Sequence, residues 1–110
     1  MSKYFADDLM FITPLVHEPG IKLFGDVMRA HEFPLNLALL ACCRQHRSVT
    51  VDLTNVHYLS PSALETLVDA ARTLPAQGRL TLRARPELDL RGRFAARGWH
   101  ESHSLQLCEA

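Results

Sequence analysis

The run V-T-V-D-L-T-N-V-H-Y-L from Val49 to Leu59 leads into Ser60-Pro61-Ser62 and then into an amphipathic segment ending at Gly78. The first part is β-branched and largely apolar, and Ser48 to Thr54 fits a central strand buried on both faces. After the serines, Leu64, Leu67, Val68, Ala71 and Leu74 fall on one helical stripe. A strand-to-helix junction follows, with hydroxyls where backbone N–H groups and the helix dipole favour negative charge. Two capping arrangements are open. Ser60 can cap a helix whose first residue is Pro61, or Ser62 and Glu65 can form an S-x-x-E capping box. Either contributes about 0.5 to 2 kcal/mol, so neither serine needs a regulatory purpose.

Outward from this stretch the pattern alternates. Leu9 to Thr13 and Ile21 to Phe24 read as strands separated by turn residues between Pro14 and Gly20. Pro34 to His46 carries Leu35, Leu39 and Cys42 at helical spacing, which predicts a first helix. Beyond Gly78, Arg79 to Ala84 alternates as a strand, with Leu80 and Leu82 inward. Pro86 opens a last helix with Leu90 and Phe94 four apart. Gly98 closes it as a left-handed cap and places Trp99 against Phe94. Gly92 weakens that helix by about 1 kcal/mol relative to alanine. Ser104 to Leu107 adds an edge strand or stays a loose tail. The expectation is an α/β fold: one domain over residues 1–110, with a mixed, mostly parallel sheet of four to five strands and packed helices. Residues 1–7 and 104–110 are candidates for loose termini.

A chain of 110 residues that is 47% hydrophobic and 22% charged is composed like a globular domain. Twelve Lys and Arg balance twelve Asp and Glu, so no overall basic field gathers nucleic acid or anionic membrane. Locally, Arg79, Arg83, Arg85, Arg91, Arg93 and Arg97 crowd into nineteen residues, as a partner-facing patch or as ordinary solvated faces. Cys42, Cys43 and Cys108 have no C-x-x-C spacing, and the first residues carry no apolar signal core or membrane-spanning run. These features predict a cytoplasmic protein with reduced thiols, no metal and no cofactor.

Enzyme motifs fail on spacing. His100-Glu101-Ser102-His103 is one residue short of H-E-x-x-H, and neither a G-x-S-x-G elbow nor a phosphate-binding glycine loop is present. His57, beside Tyr58, reads either as a group that orients a phosphate or as a half-buried strand-end side chain. Asp52, at the end of a central strand, is placed where α/β folds gather functional groups, or else it hydrogen-bonds the adjacent loop.

The order of these pieces resembles the STAS domain family, named for sulfate transporters and anti-sigma factor antagonists. Gly25-Asp26 fills the family's Gly-acid position after the second strand, and Asp52-Leu53-Thr54 fills its D-L-S/T strand end. Ser60-Pro61-Ser62-Ala63-Leu64 stands where the family has D-S-S/T-G-L, and Phe94 to Trp99 stands in place of L-x-x-x-G-L. The resemblance implies a non-enzymatic, partner-binding module that docks through Asp26, Asp52, His57, Ser60, Pro61, Ser62 and Leu64. The implied partner is an anti-sigma factor of the ATP-dependent serine-kinase type. The alternative is a constitutive scaffold subunit, for instance one bound to a transporter ATPase. The departures fall at the phospho-switch. Pro61 occupies the acceptor position, Ser60 replaces the motif's Asp, Ala63 its Gly, and Met28 a second acid. Proline has no hydroxyl to phosphorylate, which leaves Ser60 and Ser62 as candidate acceptors.

Overall fold

The computed structural model describes residues 4–109. Six strands form one sheet in chain order: β1 (Phe5–Ala6), β2 (Met10–Pro14), β3 (Gly20–Val27), β4 (Ser48–Leu59), β5 (Arg79–Ala84) and β6 (Leu105–Glu109). The first three are antiparallel neighbours, and β3 through β6 are parallel. Each parallel step needs a crossover, which helices α1 (Glu32–Gln45), α2 (Pro61–Arg72) and α3 (Leu90–Ala96) supply. The mixed α/β sheet is as expected, with more strands than the four to five predicted. Both chain ends contribute: β1 and β6 take up residues for which loose termini were open, while residues 1–3 and 110 lie outside the described part.

One face of the sheet holds the core. Ile12, Leu23, Val51, Leu53, Leu82 and their neighbours are fully buried there, together with Leu35 and Leu39 of α1 and Leu64 and Leu67 of α2. The other face is left open, which corrects the expectation of a central strand buried on both sides. Along β4, Val49, Val51 and Leu53 are buried, whereas Thr50 and Thr54 are half-buried. Polar residues alternate with the apolar ones because an antiparallel-edged sheet can leave one side to solvent. On the open face Phe11 and Phe24 stack at 4.2 Å between ring centroids, with the Lys22 ammonium 5.3 Å from the Phe24 ring.

The last helix differs from its predicted form. Pro86–Leu88 is a separate 3-10 turn, and Asp89 then takes a left-handed conformation (φ 50°) before α3 begins. Gly92 gives the reason. A side-chain carbon there would lie 2.5 Å from the Asp89 carboxylate, so the glycine makes room for the break rather than merely weakening the helix. The C-terminal end is as the spacing predicts. Gly98 is left-handed, its N–H donates to the Ala95 carbonyl, and that of Trp99 donates to the Phe94 carbonyl. The indole stands edge-on to the Phe94 ring at 5.6 Å.

Candidate functional site

Proline decides how β4 ends. Pro61 cannot donate to the ladder and holds Ser60 in extended geometry, so the chain turns from strand to helix between them. The Ser60 N–H donates to the Val27 carbonyl at 2.8 Å, and its Oγ accepts from the Ala63 N–H at 3.1 Å. Ser60 is therefore the N-cap and Pro61 the first helical residue, which selects the first of the two capping arrangements. Glu65 does not return to form a box and instead meets Arg97 at 3.3 Å. Ser60 is only 4% exposed, while Ser62 is half-buried with its Oγ 3.3 Å from that of Ser60.

The junction forms one wall of a hollow of about 520 Å³, lined by Met28, Arg29, Glu32 and Tyr58 as well as by Ser60, Pro61, Ser62 and Glu65. The opposite wall is the turn Arg29–His31 at the end of β3. His31, 3% exposed, fixes it: its Nδ1 accepts the Met28 N–H at 2.9 Å, so its Nε2 donates to Asp7 Oδ2 at 2.8 Å. Asp7 also accepts the Leu9 and Met10 amides at 2.9 Å each. Those two bonds, with His31 adding to them, hold its carboxyl below the ordinary carboxylate range. The wall is thus tied to the β1–β2 turn. Sequence reading missed Asp7, His31, Arg29 and Glu32. The Asp7–His31 pair spans 24 positions and leaves no local signal.

The predicted site residues separate. Ser60, Pro61 and Ser62 line the hollow, and Asp26 pairs with Tyr58 in the sheet just below it. His57 is exposed near the end of β4. Leu64, expected on the docking edge, is fully buried and packs in the core because it lies on the inner stripe of α2. Asp52 is not at the strand end either. It sits mid-strand, level with Lys22 and Arg83, and eight residues before Ser60, or roughly 25 Å along an extended chain.

Asp52 instead belongs to an ion-pair network on the open face. Its carboxylate accepts the Thr54 amide at 2.9 Å and the Thr54 hydroxyl at 2.6 Å, with Lys22 at 3.9 Å and Arg83 at 3.6 Å. Burial pushes its pKa up, but the two Thr54 bonds and the two cations outweigh that and hold it below the usual value. Arg83 also meets Glu18 at 3.2 Å. A carboxyl with a lowered folded pKa adds stability above its unfolded pKa of about 4 and loses it as pH falls through the folded value. Stability in urea should therefore drop as the pH falls from about 4 toward the lower folded value, with Asp7, Glu18 and Glu101 shifted in the same direction. Asp52→Asn should lower stability at neutral pH and flatten that acid limb. An unchanged limb would rule Asp52 out as a contributor.

The crowded arginines disperse: Arg83 joins this network, Arg91 meets Glu101 at 2.6 Å, and Arg97 meets Glu65 and stacks over Trp99. Arg85 donates to the Val56 carbonyl. Among the described residues neither Ser60 nor Ser62 is hydrogen-bonded to an imidazole or carboxylate, and no group of three or more His, Cys, Asp or Glu is placed to hold a metal ion. Nor is any helix among them long and apolar enough to cross a membrane.

The comparisons with known proteins address the architecture. No family model matches the chain, and no curated protein does. Among solved structures, an anti-sigma factor antagonist from Mycobacterium paratuberculosis matches with a TM-score of 0.70, covering 84% of this chain and 81% of its own, at 20% sequence identity. The two chains share a fold. The likeness in fold agrees with the resemblance to the STAS family.

Proposed function

We propose that this protein is a regulatory docking module that receives a partner protein at the junction hollow and does so without the phospho-switch that the family resemblance implies. One observation carries the reading. The family resemblance puts the phosphate-acceptor slot at Pro61, and the hydroxyl beside it, Ser60, is buried and engaged as a helix cap. Phosphorylating Ser60 would require breaking that cap and opening the junction. Ser62 is more accessible, in the first turn of α2, where its Oγ meets the Ser60 hydroxyl at 3.3 Å. The hollow offers a mixed surface suited to protein contact. Met28 and Tyr58 are 37% and 47% exposed, with Arg29, Glu32 and Glu65 around them. By fold, the leading partner is an anti-sigma factor of the serine-kinase ATPase type. A transporter ATPase served by a constitutive scaffold is the other candidate.

The test is to recover the bound protein from native cells with the parent chain as bait, and then to measure its affinity for Ser62→Asp. The added charge lies in the first turn of α2, where the helix dipole favours it, so the melting temperature should hold. Binding should weaken by about tenfold or more, because the carboxylate must be desolvated or paired in the interface. Equal binding by a folded Ser62→Asp variant would move the interface elsewhere. Intact mass of the native protein should show no phosphate, and stoichiometric phosphate on Ser60 or Ser62 would overturn the constitutive state.

A further inference from the structure

Helix α1 is apolar on both sides. Its inner side buries Leu35, Ala38, Leu39 and Cys42 in the core. Its outer side carries a second stripe of Phe33, Leu37, Leu40 and Arg44, with Phe33 72% and Leu37 51% exposed. A surface helix ordinarily turns polar residues outward, so this stripe calls for a cover. Its steps of four, three and four residues are those of a coiled-coil seam, and they read the same from either end.

The geometry points to a second copy of this chain, with α1 packed antiparallel against α1 of the partner subunit about a two-fold axis between Leu37 and Leu40. In that register the two leucines of each helix meet at the centre. Phe33 faces Arg44 of the partner subunit, so a guanidinium lies over an aromatic ring at both ends. Glu32 adjoins the same arginine. Neither Glu32 nor Arg44 has an ion-pair partner within the chain among the described residues. The acidic first turn and basic last turn of α1 are therefore complementary only when the helices run in opposite directions. A foreign apolar helix would satisfy the leucines but would leave the arginine at the end of the stripe without a reason.

A 14-residue helix is about 21 Å long, so the contact is small and the association weak, on the order of 0.1 to 1 mM. Sedimentation equilibrium of the whole chain across that range, at low salt, tests it. The parent should show a concentration-dependent dimer. Leu37→Glu and Arg44→Glu should each weaken it by about tenfold or more, and the double charge swap Glu32→Arg with Arg44→Glu should recover much of the loss. All these positions are exposed, so melting temperatures report whether folding is intact. A monomer throughout, or a dimer that Leu37→Glu leaves unchanged, overturns the proposal. So does a recovered foreign partner whose binding Leu37→Glu abolishes while the parent stays monomeric. Leu37 and Arg44 do not line the junction hollow, so Arg44→Glu should leave affinity for the docked partner intact, which separates this inference from the docking site.

Discussion

Replacing Gly25 with alanine should destabilise the protein by about 3 kcal/mol or more. Gly25 has φ +92°, and a side-chain carbon there would lie 2.1 Å from the Leu9 carbonyl oxygen. The Leu9 oxygen belongs to the backbone and cannot swing aside, so relief requires separating β2 from β3. That separation would also strain the bond from the Asp26 N–H to the same carbonyl, now 2.9 Å. The strand register shifts at this point, between Gly25 and Asp26, and the bulge aims the chain toward Val27, Met28 and the wall of the hollow. Gly98→Ala is the control. Its φ of +70° makes alanine unfavourable by about 1 to 2 kcal/mol, but no atom lies within 4 Å of the added carbon. Urea unfolding of the two variants should rank Gly25→Ala well below Gly98→Ala, and equal losses would refute the steric account.

Leu64→Ala is the second large effect, expected to cost about 3 to 4 kcal/mol. The side chain is fully buried on the inner stripe of α2, and removing it leaves a cavity among rigid neighbours. For a small domain that lowers the melting temperature by roughly 15 °C or more. Partner affinity, measured well below the transition, should be nearly unchanged because Leu64 never reaches the surface. The combination reverses that of Ser62→Asp. Loss of binding by a folded Leu64→Ala variant would mean that the hollow depends on core packing beneath the junction.

Much of the fold was legible because its signals are local. The alternation of Arg79 to Ala84, the stripe from Leu64 to Ala71 and the Gly98-Trp99 helix end each lie within a few residues. Pro61 decided the junction in the same way, since the missing N–H and the preceding extended residue are adjacent in the chain. What escaped was assembled across the chain. Asp52 could be read only as a strand-end acid until Lys22 and Arg83 came level with it from neighbouring strands. His31 gave no sign of bracing the hollow because its partner, Asp7, lies in another turn. The motif position of Leu64 implies a docking role, whereas its place on the apolar stripe of α2 turns it inward. Asp89 falls inside the helix that the spacing predicts from Pro86, and the break there depends on the room that Gly92 leaves for its carboxylate.

The strands stand side by side in the order in which they occur along the chain. During synthesis, every new strand thus finds its neighbour already made, and no earlier piece has to wait for a distant one before it can pair. The entropy cost of closing each loop stays limited to one crossover of about twenty residues, which favours stepwise growth of the sheet from one edge. The polypeptide can gain structure as it emerges, and the last strand seals the border of a core whose centre is already in place.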